Sequence, residues 1–173
     1  MRIAPIAPGT RPELAQLEAT ISAERGRVSP LYQVLLNSPA IAHGWEQLLT
    51  AVRNRSSLPA DVRELVILRV AVLNRASYEF DAHVPHAQKA GVSEVAITAL
   101  REVPLSAAFT GAQRQALLLT DAMTLDIDVP QALFDAVRAH FDAQAMIDLT
   151  VTIAAYNMVS RFLNALQVGH RTP

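Results

Sequence analysis

Three side chains in this sequence have the types and spacing that proton transfer needs: Glu64, Glu79 and His83. Glu79 and His83 are spaced i, i+4, which on a helix puts both on one face within hydrogen-bonding reach. A carboxylate beside an imidazole holds the ring in one tautomer and tunes it for general acid–base work near neutral pH. Glu64 stands among Val62, Leu65 and Val66. A carboxylate in so apolar a segment needs a partner or an altered ionisation, because burying a lone charge is costly. Pro85 falls inside the same helical pattern and is expected to kink or restart the helix just after His83.

Other chemistries are less well provided for. The chain contains no cysteine, which removes disulfides, thiolate nucleophiles, redox dithiols and cysteine metal sites together. Glu79, His83 and His86, with Asp81 nearby, are metal-ligand types. They lack the H-E-x-x-H order, so the acid–base reading is preferred and no metal or other cofactor is expected. His43, His140 and His170 have no patterned acidic partner. Trp45 sits at core spacing. Arg69 and Arg161 lie on apolar stretches, where each either neutralises a buried carboxylate or offers a fork to an anionic substrate. No phosphate-binding glycine loop and no G-x-S-x-G elbow is present.

These residues need helices to position them. Thr10-Arg-Pro-Glu13 reads as a capping box with proline in the first turn, opening a helix that ends before Gly26. Ser29-Pro30 and Ser38-Pro39 open two more, the second carrying Ile41, Trp45, Leu48, Leu49 and Val52 as an apolar stripe. The segment from Asp61 to Leu73 is apolar almost all round and reads as a central buried helix, with Asn74 as its left-handed terminator. Ser77 is expected to cap a helix over residues 78–90 that carries Glu79 and His83 and closes at Gly91. Ser93 caps the next, which Pro104 stops. Thr110 or Gly111, Val129-Pro130 and Asp142 open three further helices, the last of them long. Nothing alternates as a strand would, so the fold class is all-α.

With 173 residues, the chain suits one domain spanning 1–173, whose first nine residues, with Pro5, Pro8 and Gly9, form an extended arm. Its 15 basic and 16 acidic residues are scattered, for a net charge of −1. No basic stripe forms, and nucleic acid is not expected as a partner. A hydrophobic fraction of 51% against 18% charged residues exceeds what one small helical chain can bury, which points to a homo-oligomer. The apolar stretch from Ala143 to Leu166 is broken by Asp148, Asn157 and Arg161, so it reads as a core helix and not a membrane span. Met1-Arg-Ile-Ala-Pro5 leads into prolines rather than an apolar leader, and a cytoplasmic location is expected.

Two stretches carry a family resemblance: Glu64-Leu-Val-Ile-Leu-Arg-Val-Ala, and Asn74-x-x-x-Tyr78-Glu79-x-x-x-His83-Val-Pro85-x-Ala-x-x-Ala-Gly91. Together they resemble the core of the carboxymuconolactone decarboxylase-like family, which includes the alkylhydroperoxidase D-type proteins. Tyr156-Asn157-Met-Val-x-Arg161-Phe-x-Asn164 resembles the last helix of its longer members. In the peroxidase branch a glutamate precedes a Cys-x-x-Cys-x-x-x-His motif. Laid on this sequence, the glutamate falls on Glu64, the histidine on His83, and the cysteines on Ala76 and Glu79. A thiol peroxidase is thereby excluded.

The resemblance to the decarboxylase-like branch implies an alkylhydroperoxidase D-like helical bundle, assembled as a homotrimer or homohexamer. It also implies cofactor-independent loss of CO₂ from a small carboxylated lactone or related acid. Glu64, Glu79 and His83 would be catalytic, with Arg69, Tyr78, Asn157 and Arg161 holding the substrate. Two alternatives stand beside that reading. One is another cofactor-free reaction, an isomerisation, dehydration or lactone hydrolysis. The other is a non-catalytic oligomeric binder in which Glu64 and His83 satisfy each other in the core.

Overall fold

The computed structural model describes residues 1–109 and 111–169. Among them lie a short 3-10 turn, Pro12–Leu14, and nine α-helices: α1 Ala15–Arg25, α2 Pro30–Leu35, α3 Pro39–Asn54, α4 Ala60–Leu73, α5 Ser77–Lys89, α6 Glu94–Ala99, α7 Gly111–Asp121, α8 Gln131–Arg138 and α9 Ala143–Leu166. No strand is present among the described residues, and the all-α reading stands. None of their helices is long and apolar enough to cross a membrane.

The contacts divide the chain into two compact units. The first comprises Met1–Arg55 and, among the described residues, 163–169. Leu14, Ile21, Leu36 and Leu49 are buried in it. The expected N-terminal arm is tied down here: Ile6 is buried, its N–H donates to Gln33 O at 2.9 Å, and Arg2 N–H donates to Leu166 O at 2.8 Å. The Thr10 capping box does not form. Thr10 Oγ1 donates instead to the Ala7 carbonyl at 2.7 Å, so its oxygen stabilises the preceding turn and the chain enters α1 through the 3-10 turn.

The second unit, Ser56–Phe162, is organised by α4. Helix α4 is buried from Val62 through Ala71 with the exception of Arg63, as its all-round apolar sequence requires. Its core cluster joins Leu65 and Leu68 to Phe80 on α5, Leu100, Phe109 and Leu117.

The turn from α4 to α5 is a Schellman motif: Ala76 N–H reaches Ala71 O at 2.8 Å and Arg75 N–H reaches Val72 O at 3.1 Å. Its left-handed residue is Arg75, at φ 55°, and not Asn74. Asn74 keeps a right-handed backbone (φ −87°), and its side-chain amide donates to Asn157 Oδ1 at 2.9 Å and Ser160 Oγ at 2.7 Å on α9. Ala76, rather than Ser77, is the N-cap of α5. Helix α5 runs on past Pro85 to Lys89 without breaking, and Gly91 follows at φ 87° as the sequence expects. Ser93 Oγ accepts Ala96 N–H, the cap read from the sequence.

Helix α7 ends in a π-turn over Ala122–Asp126, closed by Ile127 N–H on Ala122 O at 3.0 Å. The residue that leaves it, Ile127, has φ 68° and ψ −45°, a γ-turn conformation rare for a side chain branched at Cβ. Asp142 Oδ1 accepts Ala145 N–H at 2.8 Å and so caps α9. Thr110, one of two expected openings of α7, and His170 lie outside the described residues.

Candidate active site

Helices α4, α5 and α9 each bring one side chain to a buried centre. The α4 carboxylate, Glu64, accepts a hydrogen bond from His83 Nδ1 of α5 at 2.8 Å between Nδ1 and Oε2. On the far side of the ring, Tyr156 of α9 places its hydroxyl 3.3 Å from His83 Nε2, and the two rings meet edge to face with centroids 5.2 Å apart. Exposure is 3% for Glu64, 6% for His83 and 2% for Tyr156. The second Glu64 oxygen, Oε1, lies 3.5 Å from Arg63 Nε.

This arrangement fixes a tautomer. A carboxylate on one ring nitrogen stabilises the proton there, so Nδ1–H donates to Glu64 and Nε2 is the ring atom that faces Tyr156. The 3.3 Å contact from Nε2 to Tyr156 is longer than a tight O–H···N bond.

The other candidates separate by surroundings. Glu79 is buried at 3% exposure in the first turn of α5, and Ala76, the other position where the peroxidase motif has cysteine, is buried at 2%. Tyr78 is half-buried, one residue before Glu79.

Arg69 is held by the fold rather than offered to a ligand. Its Nε and NH2 form a bidentate pair with Asp121 at 2.7 Å each, and NH1 donates to the Leu100 and Glu102 carbonyls at 2.6 and 2.9 Å. With four of its five N–H groups engaged and the side chain fully buried, no fork remains for a substrate carboxylate.

Asn157 donates to Thr124 Oγ1 and Ile153 O at 3.0 Å each and accepts from Asn74. Arg161 is exposed, with NH1 on the Asn157 carbonyl and side-chain oxygen. Asn157 therefore joins α9 to the π-turn and to the end of α4, and its polar atoms are occupied by protein. No three His, Asp or Glu side chains gather in a metal-holding cluster among the described residues.

Sequence reasoning missed Tyr156. Its signal was present, since it begins the Tyr156-Asn157 stretch that carries the family resemblance, but only its polar neighbour was singled out. Arg63 was missed because a basic residue early in a helix ordinarily faces solvent.

Residues 39–122 match the Carboxymuconolactone decarboxylase family. That stretch is a little under half of the chain, and over it the sequence is similar to the carboxymuconolactone decarboxylase-like, alkylhydroperoxidase D-like proteins. The chain is similar to uncharacterized protein YdfG of Bacillus subtilis (strain 168), at 29% identity over 68% of this chain and 80% of that one. It is also similar to uncharacterized protein YnjA of Escherichia coli (strain K12), at 33% identity over 67% of this chain and 64% of that one. The match thus spans just under two thirds of the Escherichia coli relative.

Solved structures show the same fold. A peroxidase-related protein with the alkylhydroperoxidase AhpD core, from Ralstonia eutropha JMP134, superposes with a TM-score of 0.83 at 18% identity, over 98% of this chain and 92% of that one. The debrominase Bmp8, solved with 2,3,4-tribromopyrrole, superposes with a TM-score of 0.81 at 16% identity, over 99% and 92%. The fold is therefore shared with proteins of unlike description, and function here is argued from this chain's own side chains.

Proposed function

We propose that the centre formed by Glu64, His83 and Tyr156 is a cofactor-independent acid–base site, and that the protein is a carboxy-lyase of the carboxymuconolactone decarboxylase type. The observation that carries this reading is the imidazole held between a buried carboxylate on Nδ1 and a phenol on Nε2. A carboxylated, unsaturated lactone loses CO₂ and leaves a dienolate. His83, as imidazolium beside Glu64, delivers the Nε2 proton to carbon, and Tyr156 stands next to that proton. Atoms balance as one carboxylate plus one proton giving CO₂ and one new C–H bond. Burial of the centre favours the step, because the charged carboxylate is replaced by a neutral gas. Glu79, buried close by in sequence, completes the acid–base set, and Tyr78 at its shoulder is the remaining substrate-holding candidate.

Assembly as a homotrimer or homohexamer belongs to the same proposal. Its support is apolar surface left open on the single chain, with Ile127 83%, Val95 75%, Val103 73% and Ile147 65% exposed.

The test is turnover of the pure protein, with chelator present, on a panel of carboxylated muconolactones and related unsaturated lactones, following CO₂ release. Activity that disappears in His83→Ala and falls in Tyr156→Phe, with melting and assembly intact, supports the lyase. Absence of turnover across the panel overturns it. If His83→Ala then lowers only the melting temperature, Glu64 and His83 serve the core.

A further inference from the structure

A buried acid that gives its proton to carbon must be refilled from water on every cycle, and His83 has no direct opening. It is 6% exposed, and both ring nitrogens face buried groups. Arg63 reaches Glu64, but a guanidinium does not release its proton in a protein and cannot serve as a relay. One turn further along α5 stands His86, exposed to solvent, with its ring centroid 5.5 Å from that of His83 and the planes tilted by 49°. That spacing places the two imidazole edges within reach of one another directly or through one water. Histidine is also the side-chain type that loads and unloads a proton at neutral pH. Pro85, between them, has no N–H and leaves the Asp81 carbonyl without its helical donor, which adds an acceptor for water on the same turn of α5.

We infer that His86 is the proton-relay residue that connects solvent to the buried centre. It takes a proton from water on its outer nitrogen and releases one toward His83 Nε2 and the Tyr156 hydroxyl. The proton leaves on the product carbon, and nothing is oxidised or reduced. The role in turnover rests on the acid–base reading above, while the relay itself is a property of the resting protein and is measured there.

The experiment uses the full chain with ¹⁵N-labelled histidine and follows proton exchange between His83 Nε2 and water by NMR near neutral pH. His86→Gln keeps a polar side chain of similar reach but cannot titrate. It is expected to slow that exchange at least tenfold, with the His83 shifts and the melting temperature unchanged, and imidazole added to the buffer restores the rate. Unchanged exchange in His86→Gln overturns the relay, as does exchange in the native protein too fast to depend on any residue. Should His86→Gln unfold, His86→Asn answers the same question. Where turnover exists, the variant lowers kcat while KM holds, and imidazole rescues it. Slowed exchange without turnover in any form of the protein sinks the lyase reading and leaves the relay standing.

Discussion

His83 Nδ1 lies 2.8 Å from Glu64 Oε2, a contact across 19 residues of sequence that ties α4 to α5 at the buried centre. Removing one partner of a buried, hydrogen-bonded pair leaves the other without compensation and typically costs about 3–5 kcal/mol. Glu64→Ala is expected to lower the unfolding free energy by about 3 kcal/mol in urea denaturation. Glu64→Gln, which still offers Nδ1–H an oxygen, should lose about 1 kcal/mol. Equal losses for the two would mean that the charge carries the whole bond and a neutral oxygen replaces none of it.

Arg69 supplies a contrast between stability and recognition. Arg69→Met strips Asp121 of its bidentate partner and leaves the Leu100 and Glu102 carbonyls unbonded, for a loss of about 3–5 kcal/mol. Arg69→Lys keeps the charge but not the fork, and loses about 2 kcal/mol. In steady-state kinetics on the folded fraction, KM should not move in Arg69→Lys. A rise in KM with stability intact would return Arg69 to the substrate site.

Ile127 holds a backbone conformation that its branched side chain opposes, and it is 83% exposed, so little packing rewards it. Strain of this kind costs about 1–3 kcal/mol, partly offset on substitution by the greater freedom of glycine in the unfolded chain. Ile127→Gly is expected to raise the unfolding free energy by about 1 kcal/mol. A drop in the denaturation midpoint would show that the isoleucine side chain contributes more than the strain.

The first unit carries a pH response of its own. Burial pushes the Tyr32 phenol above its ordinary value of 10.0, while the Arg25 guanidinium pulls the other way. Above that value the unfolded phenol has lost its proton and the folded one keeps it, so unfolding releases a proton and stability falls as pH rises. Below it the contribution is fully present. Melting temperatures of the native chain should drop more steeply above pH 10 than those of Tyr32→Phe, and parallel curves would contradict this.

Most of the helices were legible because prolines, caps and apolar periodicity announce them, as Pro30, Pro39, Ser93 and Asp142 do here. The buried character of α4 was equally plain from its composition. What local sequence could not supply was the choice among partners that are distant along the chain. Asn74 has the chemistry of a left-handed terminator, yet its amide is drawn to α9 and the strained backbone passes to Arg75. His83 has an acidic residue one turn back on its own helix, yet the structure gives its Nδ1 a carboxylate from α4. Tyr156 opens a stretch that carries the family resemblance, yet its type alone does not mark it, since a tyrosine on an apolar helix is ordinary core until its hydroxyl is placed against an imidazole.

Neighbouring positions on α9 do unlike things: Tyr156 faces His83, while Asn157 grips Thr124 and the end of α4. Successive residues of a helix point roughly 100° apart, so these two engagements together set the rotation of α9 about its axis. Loss or gain of a single residue between Ala143 and Ile153 would swing both side chains off their partners at once. Length is therefore the property this helix can least afford to vary, and insertions and deletions should accumulate in the loops on either side of it while its side chains elsewhere drift.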